Sequence, residues 1–461
     1  MEDLAQNAIE AALKTGASFV DVRIENTKGI EFEIVNGATK RSLASELKGA
    51  GIRAFINGAW AFAHTSNLTP RGMRETGASV ARMALAICRN VKNRFEIDGP
   101  TFKDKVKLSV KQPLQDVPAE EKISFVKMID KQARDFDERI KNTNTLYTEV
   151  WTELFVANSL GTNIWMETSL PRIRSISIAK DEANRQTASK SAGMRGGFET
   201  MEDVASQSVG EESAKLAIEL LSSIMPKGGI YDIIVDPALN GCLVHEAFGH
   251  PCEADNWIAN TTVLEGKLGT KVGFEQLNLS DDPTIPGWRG SFEYDWEGTK
   301  TQKRLLVKKG VLTELLHSLE TSVRLGLEPN GASRSQSFMY EPIPRMSNTF
   351  MEPSDWSFEE LLSDMKNGLL LCGIGGGYTK SAIGQFMFKA AYGYMIVNGE
   401  KGQIIRGASV AGQILDFLTK IDAIGKDFGK TAENCGKGSQ IVPDMSGGPH
   451  TRIRKAPVGG K

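Results

Sequence analysis

The run Tyr231 to Pro251 reads YDIIVDPALNGCLVHEAFGHP, and the reading of the whole chain turns on it. Its first five residues, ending in the β-branched Ile233, Ile234 and Val235, read as a buried strand. Asp236 can cap a helix, and Pro237 suits the first helical position. Leu239, Leu243, Val244 and Ala247 then carry the helix to about Phe248. Gly249 and Pro251 are stop signals. His245 and Glu246 therefore fall in the last turns of a helix, with His250 at or just beyond its end.

The two histidines are five residues apart, not four as in the HExxH zinc motif. On an ideal helix, at roughly 100° per residue, that spacing places them about 140° apart, too far to grip one ion. The helix must loosen. Either a π-bulge widens it, or it terminates at Gly249 and Pro251 holds His250 extended. Both breakers are present, so termination is the expected solution. A single histidine on an amphipathic helix is ordinarily just packed or hydrogen-bonded. With five histidines in 461 residues, two of them placed around a glutamate in this way point to a metal site. Zinc accepts imidazole well, and a catalytic zinc usually has three protein ligands and one open position. The ion lowers the pKa of water, and a neighbouring carboxylate can take the proton and return it to a leaving amine. Glu246 is placed for that task.

Spacing leaves the third ligand open among Cys242, Cys252, Glu253, Asp255 and Cys435. Cys435 stands in a glycine-rich stretch, Cys435-Gly436-Lys437-Gly438, read as a loop. The five cysteines are too few for a disulfide framework. Cys242 and Cys252 read as buried thiols.

Working outward, 461 residues exceed one ordinary core. The chain reads as α+β. Residues 1–100 form a small N-terminal α+β domain, 113–225 a mixed helix/strand middle region, and 226–461 a large β-rich C-terminal domain carrying the metal-binding helix. Short strands are expected at Phe19 to Ile24, Ile30 to Val35 and Gly51 to Ile56, with tight turns at Asn36-Gly37 and Asn57-Gly58. Helices are expected near Arg71 to Cys88, after Pro118, and through Val410, Ile414, Phe417 and Ile421. Asp181 to Ser206 is polar and shows no period. A hairpin is expected around Asn398-Gly399. The net charge of −2 and the absence of any basic tract interleaved with aromatics argue against nucleic-acid binding. No stretch approaches the roughly 20 apolar residues of a membrane span, and the start of the chain does not resemble a secretory signal. A cytoplasmic location is expected.

Four ordered blocks of this chain resemble the TldD/PmbA metalloproteases. They are HEAFGH with Glu253 and Asp255 behind it, DDPTIPGWRGSFEYDWEG from Asp281 to Gly298, PRMSNTF from Pro344 to Phe350, and CGKGSQIVP from Cys435 to Pro443. The run VNGATKRSLASELKGAGIRAFINGAWAFAHTS resembles the family's N-terminal domain. The resemblance implies that His245, His250 and Cys435 bind zinc and that Glu246 is the catalytic base. It implies cleavage of peptides or unfolded polypeptide within an enclosed chamber. It also implies pairing with a related TldE/PmbA-like subunit that lacks the HExxxH motif, or with a second copy of this chain. The chain departs from the family pattern at Pro251 and Cys252, where glycine and leucine are usual. It departs again at Trp296, where an acidic residue is common, and at His64, where a tyrosine is.

Within these blocks Arg345 and Asn348 are expected to hold substrate backbone, and Glu253 to orient a metal-bound histidine. Asp281, Asp282, Asp295 and Glu297 read as loop and turn residues. Gly373 to Tyr378 lacks the context of a nucleotide loop. His317 reads as a helix residue and His450 as part of an exposed tail. The expected activity is zinc peptidase, with an extended substrate added to a sheet edge. Two alternatives are a zinc amidohydrolase on a non-peptide substrate and a non-catalytic peptide-binding subunit with structural zinc.

Overall fold

The computed structural model describes residues 1–461, apart from the side chains of residues 204 and 205. Strand Phe19–Val35 is a single 17-residue element, not two short ones. The polar stretch inside it is held because it is paired on both sides, with Ala38–Ile56 and with Ile140–Asn158. One eight-stranded sheet therefore runs through the N-terminal and middle regions. Helices Glu2–Lys14 and Pro70–Cys88 cover one part of it, burying Ile9, Ala12, Val80 and Ala84 against Val20, Val22 and Ile52. Ala119–Arg134 and Val204–Leu221 cover another part.

The stretch after Asp181 contains strand Arg185–Gly193, which gave no apolar alternation. Only small residues such as Ala188 face the covering helix, so neither face needs an apolar stripe. Turns at Asn36-Gly37, Asn57-Gly58 and Asn398-Gly399 all form, each with both residues at positive φ.

The C-terminal part holds two large sheets and a two-stranded one, Ser333–Arg334 with Ile343–Pro344. In the first, strands Gly368–Lys380, Gly229–Val235, Thr451–Gly459, Ser409–Gln413 and Gln385–Val397 pair in that order. The last then pairs with the first, closing a small barrel. The second has six strands and ends on Asn348–Met351, Gln440–Gly448 and Gly429–Lys437. The expected helix through Val410 to Ile421 is only Ile414–Thr419. Val410 pairs with Phe388 and Val458, and Ile421 with Ile453. A strand, one helical turn and another strand, all burying apolar residues, imitate a helical period.

Helix Pro237–Val244 lies between these two sheets. Asp236 accepts from the Leu239 N–H at 2.8 Å and also from the Gly373 N–H, so it ties the helix start to the barrel. At Gly241 a Cβ would come within 2.5 Å of the Gly447 backbone. Glycine here lets the helix sit directly on strand Gln440–Gly448. Among the described residues, no helix is long and apolar enough to cross a membrane.

Candidate metal site

The helix does not terminate at Gly249 as expected. It continues as a π-turn over His245–Gly249, then a 3₁₀ turn over His250–Cys252. The His250 N–H donates to the His245 carbonyl, so the bond of the widened turn joins the two histidines themselves. Gly249 keeps helical angles. Its lack of a Cβ serves packing, since a Cβ would meet the buried Met346 sulfur at 2.0 Å. Pro251 needs no N–H where it opens the 3₁₀ turn.

Cys435 is on strand Gly429–Lys437, not in a loop; the turn follows at Gly438-Ser439. Its Sγ lies 3.4 Å from His250 Nε2. One donor atom each from His245, His250 and Cys435 lies within 4.8 Å of the others. Ligands about 2.0–2.3 Å from a tetrahedral zinc would stand roughly 3.3–3.7 Å apart, so this donor set suits that ion.

Each imidazole has a carboxylate at its other nitrogen. His250 Nδ1 is 3.0 Å from Glu253 Oε2, and His245 Nδ1 is 3.3 Å from Asp444 Oδ2. The Glu253 hydrogen bond fixes which His250 nitrogen faces a metal, whereas Asp444 stands close to His245 Nδ1 without hydrogen-bonding it. Glu253 is fully buried, and Lys437 Nζ stands 3.1 Å from it and 2.7 Å from Asp255. Burial would raise the Glu253 carboxyl, but Lys437 and His250 hold it at about 2. Burial alone would lower His245, but the Cys435 thiolate and Asp444 push it to about 10. Against burial, the two imidazoles hold the Cys435 thiol well below its usual range. Burial raises Asp444 to about 7.

Glu246 Oε2 is 3.7 Å from His250 Nε2, and its side chain keeps 34% exposure against 4% and 13% for His245 and His250. It can meet a water or substrate that the buried ligands cannot. Asp444 was missed from sequence because nothing nearby marks it; it follows the block ending at Pro443 and reaches His245 only across the fold.

Arg345 and Asn348 do not line an open cleft. Both are fully buried. Arg345 Nη2 donates to the Cys435 carbonyl at 2.5 Å, and Asn348 bonds Asp282, Ser291 and Gly290. Asn348 holds a loop, and Arg345 holds the hairpin through Nη2 while its Nε and Nη1 make no hydrogen bond. Cys252 is buried and Cys242 half-buried, outside the donor cluster. Asp281 pairs with buried Arg304, and Asp295 accepts three backbone N–H groups of its turn and of Ser333. His317 precedes helix Leu319–Leu325. His450 pairs with Asp427 at 2.7 Å.

Fold and donor set define an α+β protein with a metal-type site at a junction of helix and hairpin. Three successive segments match the PmbA/TldA metallopeptidases: residues 20–88 as domain 1, 112–221 as the central domain, and 228–460 as the C-terminal domain. The chain is 35% identical over 443 residues to a metalloprotease of Methanothermobacter thermautotrophicus, covering 96% of this chain and 95% of that protein. It is 28% identical over 461 residues to a zinc metalloprotease TldD homolog of Saccharolobus solfataricus, covering 98% and 99%. A Thermotoga maritima structure described as a modulator of a DNA gyrase superimposes with TM-score 0.80 at 24% identity, covering 99% of this chain and 100% of that one. TldE from Thermococcus kodakarensis does so with TM-score 0.80 at 18% identity, over 99% and 100%. The chain belongs to the PmbA/TldD metallopeptidase family.

Proposed function

We propose that the protein is a zinc-dependent peptidase acting on peptides or unfolded polypeptide, with His245, His250 and Cys435 as ligands and Glu246 as general base. The observation that carries this is the convergence of three zinc-type donors within 4.8 Å, with one partly open carboxylate beside them. Held by these three donors, zinc would supply Lewis acidity to a carbonyl and lower the pKa of water. The metalloprotease names of the relatives support the same reading.

The chain's own residues do the rest. Glu253 orients the His250 imidazole, Asp444 stands beside that of His245, and Lys437 and Arg345 brace Glu253 and the hairpin. Glu246 takes a proton from water and returns it to the departing amine nitrogen. Strand Gly429–Lys437 is the last of its sheet, and an extended peptide would pair along it through backbone groups other than the Ala432 and Cys435 carbonyls, which Arg172 and Arg345 occupy. That mode reads no side chains and fits unfolded substrates. We also propose the threefold division 1–100, 113–225 and 226–461, a cytoplasmic location, and pairing with a TldE-like subunit or a second copy. Glu246→Gln tests the reading: it should keep zinc and lose cleavage of an unstructured peptide. Retained zinc with undiminished cleavage would refute it.

A further inference from the structure

Strand Ala38–Ile56 has two unlike halves. Residues 50–56 lie between Phe19–Val35 and Ala59–Thr65, whereas residues 38–49 pair with Phe19–Val35 alone. The eight-stranded sheet therefore ends there on an open edge. Among the described residues, no backbone group of residues 38–48 bonds outside this hairpin. Residues 38–46 are all exposed, and Leu43 near their middle is 54% exposed.

An open edge is a template for another strand, and single chains blunt theirs by keeping them short or by adding proline or lysine. Residues 38–48 run roughly 35 Å at the usual rise of a strand. They hold no proline. Lys40, Arg41 and Lys48 would repel a second strand, but Glu46 lies among them. Arg41 is already held by Glu31 and Glu33 across the hairpin. Lys40 and Glu46 form no ion pair among the described residues.

Two copies related by a twofold axis through the sheet join such edges antiparallel. Side chains alternate between faces, so residues set opposite one another must have numbers with an even sum. Centred on Leu43, the pairing sets Lys40 against Glu46 at both ends, Arg41 against Ser45, Ser42 against Ala44 and Leu43 against its own copy. Centred on Ala44 it opposes Lys40 to Lys48, and centred on Ser42 or Ser45 it brings no opposite charges together. Lys40 is the extra residue of a bulge, since Glu33 faces Arg41 and Ile34 faces Thr39. Residues 41–45 are regular, and the long Lys40 side chain starts just beyond them. Opposite charges and apolar pairs directly across two strands stabilise their pairing, and like charges oppose it.

We propose that this edge joins two copies of the chain, antiparallel about Leu43, so that the sheet of one continues into that of the other. The self-complementary charge order selects a second copy over any other strand. The surface is separate from the metal cluster and does not depend on the peptidase reading.

Sedimentation velocity of the zinc-loaded full chain over a micromolar concentration series should show a dimer. Lys40→Glu and Glu46→Lys should each weaken it about tenfold, since either change turns two attractive pairs repulsive, and the double variant should restore it. Under oxidised glutathione, Leu43→Cys should give a dimer linked between the two introduced cysteines, located by peptide mass spectrometry. Ser45→Cys, on the same face, should not. A monomer at every concentration overturns the proposal, as does a dimer indifferent to both charge reversals or one that the double variant fails to regain. A link through Ser45→Cys in place of Leu43→Cys overturns it as well.

Discussion

Two hairpins of this chain are built alike and serve differently. Phe19–Val35 with Ala38–Ile56 turns at Asn36-Gly37, and Gly429–Lys437 with Gln440–Gly448 turns at Gly438-Ser439; all four turn residues have positive φ. In the first, nine residues from Ala38 to Glu46 are exposed, and no ligand comes from either strand. In the second, one face closes the metal cluster and the other, through Pro443, lines a cavity. The turn chemistry is the same; what packs on the faces is not. Both hairpins bury charged side chains, and only the second brings a sulfur beside two imidazoles.

That contrast can be broken from the functional side first. Cys435→Ser and His245→Ala should each take bound zinc from near stoichiometric to near zero, read by elemental analysis, whereas Arg41→Ala on the first hairpin should leave it unchanged. Glu246→Gln should lower kcat by about 10²–10⁴-fold, the usual range for a lost general base, with metal content intact. Glu253→Gln and Asp444→Asn should weaken zinc binding by about 10–100-fold in chelator competition, because the imidazoles lose their outer partners.

Acidity sharpens the comparison further. Without metal, His245 is pushed to about 10 and so carries its proton at neutral pH. Zinc takes the neutral ring, so uptake expels the proton. Affinity should therefore rise with pH below that value, by about tenfold per unit for each proton displaced. A flat profile from pH 6 to 8 would mean that no proton leaves. The smallest effect is expected at Gly241→Ala, which forces the helix off the Gly447 backbone. Overpacking of that kind costs about 1–3 kcal/mol and should lower the thermal midpoint.

Much of the site was legible in the chain. The cap at Asp236, the proline after it and the HEAFGH run located the metal-bearing helix, because caps and ligand spacing are local properties. Asn-Gly pairs located three turns for the same reason. Cys435 entered through resemblance, and spacing alone left it among five candidates. The π-turn was one of two solutions the histidine spacing allowed, and the other was preferred because Gly249 and Pro251 are breakers in isolation; only the closeness of Met346 explains the glycine. Arg345 and Asn348 were legible only as members of a shared block, because a charged or amide side chain there is equally suited to substrate and to bracing a loop; their burial and their bonds to the hairpin and loop come from the fold.

By itself, the sequence determined the soluble-type balance of residues, the helix with its two imidazoles and base, and the turns that fold each hairpin. Each follows from neighbours a few positions apart. The tertiary structure alone decided that the Cys435 Sγ reaches His250, that Asp444 stands beside His245, and that Arg345 is buried against the Cys435 carbonyl. Those are contacts across as many as two hundred residues. They depend on how the sheets stack, and no local pattern encodes the stacking.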